Sequence, residues 1–155
     1  MALDDLYREV ILDHYSRPRN KGTMDDPDIK VEGANPLCGD ELSIFVRLTG
    51  GKITDVKFVG RGCSISQASA SMMTEQIKGK TLDEANSLVG KFKAMMHGEP
   101  ANEDELGDLM ALQGVRKFPV RIKCATLSWV ALEQGVDEFS GSHRKVVAKT
   151  STEAE

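Results

Sequence analysis

Residues 41–60 read ELSIFVRLTGGKITDVKFVG, and this stretch decides the fold. Apolar side chains alternate with polar ones along its first half, which is typical of a strand with one buried face. Gly50 and Gly51 form a two-residue turn, and ITDVKFVG reads as a second strand beyond it. The sequence therefore predicts a β-hairpin. The inward positions of its first strand are Leu42, Ile44, Val46 and Leu48.

A third strand and several helices are predicted on either side of the hairpin. DIKVEGAN, at residues 28–35, predicts the third strand, and apolar residues at helical spacing predict a first helix before it. After the hairpin, residues 64–78 predict a helix, and the capping-box spacing of TLDE at 81–84 starts another. Pro119 suits the first turn of the last helix, which we expect to end at Gly135.

The length and composition of the chain fit one domain with a core of its own. It has 155 residues and 40% hydrophobic content, which is enough for a core without disulfides. We expect the domain to span residues 1–136. The stretch SHRKVVAKTSTEAE lacks a core face, and residues 137–155 are expected to form a mobile C-terminal tail.

Charge and hydropathy argue against two kinds of partner. The 20 basic and 24 acidic residues give a net charge of −4, with no run of like charge long enough for a nucleic-acid surface. The stretch MALDDLYREV is acidic and no apolar run exceeds four residues, so we expect neither a signal peptide nor a membrane span. The sequence therefore predicts a cytoplasmic protein with no nucleic-acid and no membrane partner.

The three cysteines all fall where predicted elements begin or end. Cys38 lies in the turn NPLCGDE with Asp40 two residues on, Cys63 precedes the helix after the hairpin, and Cys124 lies near the start of the last helix. Loops and element ends carry function more often than element centres do. An odd number of cysteines in a reducing compartment argues against a disulfide framework and favours metal binding or thiol chemistry.

Cys38, Asp40, Cys63 and Cys124 offer one candidate ligand set. Three thiolates and one carboxylate suit a tetrahedral Zn²⁺ ion, and they also form part of a set for an iron–sulfur cluster. The chain has no CxxC pair, so spacing alone leaves three unrelated cysteines as an equal alternative. The histidines show no ligand spacing, and we interpret them as surface or boundary residues: His14, His97 and His143.

Three segments carry a resemblance that extends beyond the cysteines themselves. NPLCGD, GRGCSISQASASMM and FPVRIKCATLSW, in this order and at these separations, resemble the IscU/NifU-like family of iron–sulfur assembly proteins. The similarity covers about residues 3–135. It implies an α+β fold, with a small, largely antiparallel, three-stranded sheet and helices packed on one face. The predicted hairpin and helices agree with that fold.

Departures from the scaffold members of this family resemble its SufU subgroup, whose members bind zinc and accept sulfur from a cysteine desulfurase. Lys123 stands where scaffold members carry a histidine, and extra residues around HGEPANEDELGDLMALQG precede the last cysteine helix. The resemblance implies that Cys38 is the persulfide acceptor and that Asp40 and Arg121 belong to the catalytic site. It also implies four zinc ligands: Cys38, Asp40, Cys63 and Cys124.

By this resemblance we expect a zinc-dependent sulfur-transfer protein that serves iron–sulfur cluster assembly. It would accept persulfide sulfur from a PLP-dependent cysteine desulfurase of the SufS type, stimulate that enzyme, and pass the sulfur to a downstream iron–sulfur assembly scaffold. Two alternatives stay open. One is a scaffold that assembles a [2Fe-2S] cluster on the same residues, and the other is a structural zinc-binding domain that only recruits partners. Which of them holds decides whether the chain counts as an enzyme.

Overall fold

A computed structural model describes residues 3–36 and 38–151 of the protein, with the backbone alone at residues 3–5. Within these residues the chain forms helices and one sheet. The helices are α1 (Leu3–Ser16), α2 (Ser64–Ile77), α3 (Leu82–Met96), α4 (Glu103–Leu106), a 3₁₀ segment (Gly107–Lys117) and α5 (Pro119–Ser142). The strands are β1 (Ile29–Asn35), β2 (Asp40–Thr49), β3 (Lys52–Arg61) and β4 (Val146–Ser151).

The predicted hairpin is formed by β2 and β3, which pair antiparallel. Gly50 and Gly51 in its turn have φ angles of 61° and 80°. Glycine adopts such left-handed angles without strain, and two of them in succession match the twist of hairpin strands. The third predicted strand is β1, which pairs antiparallel with β2.

The prediction of three strands is wrong, because the described residues contain a fourth. The sheet order is β3-β2-β1-β4, and β4 lies parallel to β1 with Val146 beside Ile29 and Ser151 beside Ala34. Val146 is buried, whereas Val147 is 80% exposed. Exposure alternates along β4, but its sequence VVAKTS does not alternate apolar with polar residues, so the strand could not be recognised from the sequence.

The last helix extends further than predicted, to Ser142 instead of Gly135. Gly135 packs on β1, and a Cβ atom there would come within 2.6 Å of Ile29 and Val31. This glycine therefore allows close packing of α5 on the sheet and does not end the helix. Val146 of β4 belongs to the hydrophobic core and Ala148 packs against it, so the expectation that the C-terminal segment has no core face is wrong. The domain boundary and the mobility of the tail stay predictions.

The helices pack on one face of the sheet, as the predicted α+β fold requires. α5 lies across β1 and β4, and α2 packs beside β3. Trp129 of α5 stacks on Phe92 of α3 with ring centroids 4.6 Å apart, and its indole N–H donates to Ser69 of α2 at 3.0 Å. A buried aromatic pair of this kind contributes about 1 kcal/mol beyond its burial. The hydrogen bond to Ser69 connects α2, which follows Cys63, to α5, which contains Cys124.

None of the helices in residues 3–36 and 38–151 is both long enough and apolar enough to cross a bilayer. The longest, α5, carries charged side chains on its outer side, such as Glu133 and Asp137.

Candidate metal and thiol site

The turn between β1 and β2 carries Cys38 and delivers Asp40 to the start of β2. Asn35 and Asp40 face each other across the ladder, and the amide N–H of Cys38 donates to the carbonyl of Asn35 at 3.2 Å. Gly39 has a φ of 71°, which lets the chain reverse within the turn. Cys38 is half-buried there, whereas Asp40 is fully buried. Two of the predicted site residues therefore sit on a short turn with different access to solvent.

Asp40 connects this turn to the start of α2. Its Oδ1 accepts a hydrogen bond from the amide N–H of Cys63 at 2.9 Å, and its Oδ2 lies 3.8 Å from the Cys63 sulfur. Cys63 is the N-cap residue of α2, so the carboxylate also meets the positive end of the helix. Gly62 makes this approach possible, since a Cβ atom there would lie 2.3 Å from Asp40 Oδ1. The burial of Asp40 is thereby offset by hydrogen bonding and by the helix dipole.

Cys124 enters the site from the second turn of α5 and is fully buried. Its sulfur lies 3.0 Å from the Cys38 sulfur, and both are free cysteines. Burial raises the pKa of the Cys124 thiol, and hydrogen bonding to Cys38 and Asp40 raises it further. The raised pKa means that this sulfur favours its protonated form in the absence of a bound metal ion.

Arg121 supplies a positive charge beside the sulfurs. It lies three residues before Cys124 on α5 and is exposed. Its pKa is raised above the ordinary value for arginine, first by its electrostatic interaction with Cys63 and then by hydrogen bonding to Cys124. These interactions place positive charge near two of the three cysteines, and the membership of Arg121 in the catalytic site stays a prediction.

The structure brings the predicted ligand atoms together to different degrees. Those of Cys38, Asp40 and Cys124 all lie within 4.8 Å of one another. Cys63 joins them through its contact with Asp40. Three sulfurs and one carboxylate oxygen fit the tetrahedral ligand set of Zn²⁺, and the high proton affinity of the buried Cys124 thiol is one that a metal ion would overcome. Metal ligation by these four residues stays a prediction.

Asn35 is a site residue that the sequence did not indicate. It is fully buried, and its side-chain N–H lies 3.6 Å from the Cys124 sulfur. Its Oδ1 has no hydrogen-bond partner among the described residues. An asparagine before a proline is common in turns, so nothing in the sequence distinguished this residue from ordinary turn chemistry.

A groove of about 960 Å³ opens beside the cluster. Its walls come from α1, the 3₁₀ segment and the first turn of α5, and Cys63 and Arg121 lie at its edge. Phe118 and Val120 project into solvent there, with 60% and 57% of their surface exposed. The groove therefore leads from solvent to Cys63 along a largely apolar wall.

Comparison with known proteins gives one family over most of the chain. The family model described as NifU-like N terminal domain matches residues 6–125. The chain is 54% identical over 142 residues to the zinc-dependent sulfurtransferase SufU of Bacillus subtilis (strain 168), covering 91% of this chain and 96% of that protein. It is 45% identical over 136 residues to the iron–sulfur cluster assembly scaffold protein IscU of Streptococcus pyogenes serotype M1, covering 86% and 84%.

A solved structure shares the fold. The crystal structure of SufU from Fervidobacterium islandicum AW-1, whose description proposes an iron–sulfur cluster assembly scaffold for the SUF system, matches with a TM-score of 0.80. The two sequences are 38% identical, and the match covers 87% of this chain and 99% of that one. The α+β arrangement described above is therefore that of a solved relative.

Proposed function

The chain belongs to the family of NifU-like N-terminal domains, and we propose that it is a zinc-dependent sulfur-transfer protein that accepts persulfide sulfur for iron–sulfur cluster assembly. The family predicted from the sequence is thus confirmed. One observation carries the proposal: a half-buried cysteine on a turn, Cys38, has its sulfur 3.0 Å from the buried sulfur of Cys124 and within 4.8 Å of the Asp40 carboxylate. The 54% identity to a zinc-dependent sulfurtransferase supports the same function.

We assign the zinc ion to four residues, Cys38, Asp40, Cys63 and Cys124. When bound, zinc holds cysteine ligands as thiolates and tempers their nucleophilicity. Three thiolates and one carboxylate around Zn²⁺ carry a net charge of −2, which favours a cation nearby. The Arg121 guanidinium beside Cys63 and Cys124 provides it.

Cys38 is the acceptor because it is the cysteine on the turn. Cys124 is fully buried in α5, and Cys63 is tied to Asp40 through its own amide. In the transfer, the Cys38 thiolate attacks the outer sulfur of the donor persulfide, and the sulfur–sulfur bond of the donor breaks. The donor cysteine leaves as a thiolate, and Cys38 becomes the persulfide. Because one sulfur–sulfur bond forms as another breaks, the step needs no external oxidant.

The donor we propose is a PLP-dependent cysteine desulfurase of the SufS type, which this chain would stimulate by removing the sulfur from it. A downstream iron–sulfur assembly scaffold is the proposed acceptor from Cys38. Both proposed reactions need reduced thiols, so we propose that the protein acts in the cytoplasm, where thiols stay reduced.

A second candidate function is a scaffold that builds a [2Fe-2S] cluster on the same four residues. The 45% identity to a scaffold protein favours it. Lys123, which stands where scaffold members were expected to carry a histidine, favours zinc-dependent transfer instead. The two functions differ in metal content, so they can be separated on the purified protein.

The test is transfer of radiolabelled sulfur from cysteine by a purified SufS-type desulfurase. Metal stoichiometry is measured first, and the label is then located on the wild type and on Cys38→Ser, Cys63→Ser and Cys124→Ser by non-reducing gel and intact mass. We expect about one zinc ion per chain in the wild type. Of the three variants, only Cys38→Ser should keep its fold and yet carry no radiolabelled sulfur. A stable iron–sulfur chromophore after reconstitution would support the scaffold, and zinc without any label would leave a structural zinc domain. A label retained by Cys38→Ser would move the acceptor role to another cysteine.

A further inference from the structure

A second group of side chains of types that can bind metal ions lies outside the thiol site, where α1, α2 and the 3₁₀ segment meet. It consists of His14 from α1, Glu75 from α2 and Asp108 from the 3₁₀ segment. One ligand atom from each lies within 4.8 Å of the other two. Cys63 and Glu75 are twelve residues apart on α2, about 18 Å along a helix, so the two groups do not share ligands.

The imidazole of His14 is held in a fixed orientation. The side chain is 1% exposed, and its Nδ1 lies 2.8 Å from Ser71 Oγ. The hydroxyl oxygen of Ser71 already accepts the amide N–H of Arg19 at 2.8 Å, and in the tautomer with the proton on Nδ1 its second lone pair accepts Nδ1–H. Metal-binding histidines are usually oriented by a hydrogen bond of this kind from the other ring nitrogen. In this arrangement Nε2 presents its lone pair to the carboxylates.

Both carboxylates face that nitrogen. Nε2 lies 3.2 Å from Asp108 Oδ2 and 4.0 Å from Glu75 Oε1. Arg19 lies 3.7 Å from the other carboxylate oxygen of Glu75, which leaves Oε1 directed towards His14. A lone pair facing two anionic oxygens is repulsive, and a cation among the three atoms removes the repulsion. Glu75 and Asp108 are 50% and 54% exposed, so water can complete the coordination from the solvent side.

We propose that His14, Glu75 and Asp108 bind a first-row divalent transition-metal ion, separately from the thiol site. One imidazole nitrogen and two carboxylate oxygens, with positions left for water, suit Mn²⁺, Fe²⁺ and Zn²⁺. The imidazole disfavours Ca²⁺ and Mg²⁺, which prefer oxygen ligands alone. The ion would join α1 to α2 and the 3₁₀ segment, and so connect the first helix to the helix whose N-cap is Cys63.

The test uses Mn²⁺, because thiolates select softer metals and the His and carboxylate set does not. After the metal content of the purified protein is measured, Mn²⁺ binding is titrated by electron paramagnetic resonance. The variants are Glu75→Gln and Asp108→Asn, which alter half-exposed side chains, and the control is Glu103→Gln, an exposed carboxylate outside the group. We expect one Mn²⁺ site in the wild type and the control, weakened about tenfold or more in each variant. Saturating Mn²⁺ should raise the melting temperature of the wild type and the control, and not that of Asp108→Asn.

The competing arrangement places the proton on Nε2, which then donates to Asp108 with no metal present. It predicts no Mn²⁺ site in the wild type, or one that Asp108→Asn and Glu75→Gln leave unchanged, and either result overturns the proposal. A transition metal already present in the purified wild type and missing from Asp108→Asn supports it. Sulfur transfer to Cys38 does not enter these measurements, so the two proposals stand or fall separately.

Discussion

The carboxylate of Asp40 accepts a hydrogen bond from the backbone N–H of Cys63 at 2.9 Å, so the first residue of β2 holds the start of α2. Its two oxygens make different contacts: Oδ1 accepts this hydrogen bond, and Oδ2 faces the Cys63 sulfur at 3.8 Å. A single buried side chain thus joins the proposed metal site to the framework of the fold.

Substitutions of Asp40 should separate its contribution to zinc binding from its contribution to stability. In Asp40→Asn the side-chain oxygen can still accept the Cys63 N–H, but the neutral amide is a poor zinc ligand, so we expect weaker zinc binding with nearly unchanged stability of the metal-free protein. Asp40→Ala loses the hydrogen bond as well, which should cost about 1–2 kcal/mol of unfolding free energy. Urea unfolding of the metal-free proteins and zinc competition with a chromogenic chelator measure the two effects. Equal zinc affinity in Asp40→Asn and the wild type would remove Asp40 from the ligand set.

Gly62→Ala should damage the site although no ligand is changed. The new Cβ atom would lie 2.3 Å from Asp40 Oδ1, and the residue has a φ of 154°. Either the carboxylate or the chain must move, so we expect a lower melting temperature and less bound zinc. Gly90→Ala is the matched control, because nothing lies within 4 Å of its Cβ position within α3. There the loss of glycine should stabilise the helix by about 0.5–1 kcal/mol. Similar behaviour of the two variants would contradict the close approach at Gly62.

Removing zinc should lower stability as well as abolish transfer. The proposed ligands come from the β1–β2 turn, the start of α2 and the second turn of α5, so the ion joins three separate parts of the chain. Structural zinc contributes on the order of 10 kcal/mol in small peptides, and we expect less here because the protein has a core of its own. Calorimetry with and without a chelator measures the change, and added zinc should restore the melting temperature. Superimposable curves would show that the ion does not support the fold.

Low pH should lower the free energy of unfolding, in part because Asp13 becomes protonated. Hydrogen bonds from Arg19 and then Arg17 lower the pKa of Asp13 from 3.8 to about 2. A carboxylate with a lowered pKa stabilises the folded state above its unfolded pKa, and the contribution is lost as the pH falls through the folded pKa. The stability difference between the wild type and Asp13→Asn should therefore shrink as the pH falls from 3.8 to about 2. Urea unfolding at several pH values checks this, with Asp83→Asn as an exposed control. A constant difference would mean that Asp13 makes no such contribution.

The elements predicted correctly from the sequence are those that neighbouring residues specify without long-range contacts. Gly50 and Gly51 define a turn by their own backbone angles, and the capping box of Thr81 and Glu84 is present with both hydrogen bonds. Long-range contacts decided the rest. Gly135 resembles a helix stop in the sequence, but in the fold it is the point where α5 meets β1. β4 is a strand because β1 offers an edge, and its own sequence contributes one buried residue.

The thiol site was predictable in its residues but not in its surroundings. Cys38, Cys63 and Cys124 were recognisable because they stand at or near the ends of elements. The structure brings Cys38 and Cys124 into contact and links Cys63 to them through Asp40. His14 was interpreted as a surface or boundary residue, yet it is buried. Its partner Ser71 lies 57 positions further along the chain, and no local pattern encodes such a pairing.

The parallel pairing of β4 with β1 has a practical consequence for handling the protein. Ser151, at the end of β4, lies beside Ala34, whose next neighbour Asn35 contacts Cys124. The last strand thus finishes at the same edge of the sheet as the turn that carries Cys38. A polyhistidine tag fused after Glu155 would start five residues past this end of the sheet, and imidazoles are zinc ligands in their own right. Metal counting should therefore use untagged protein, or protein from which the tag has been cleaved.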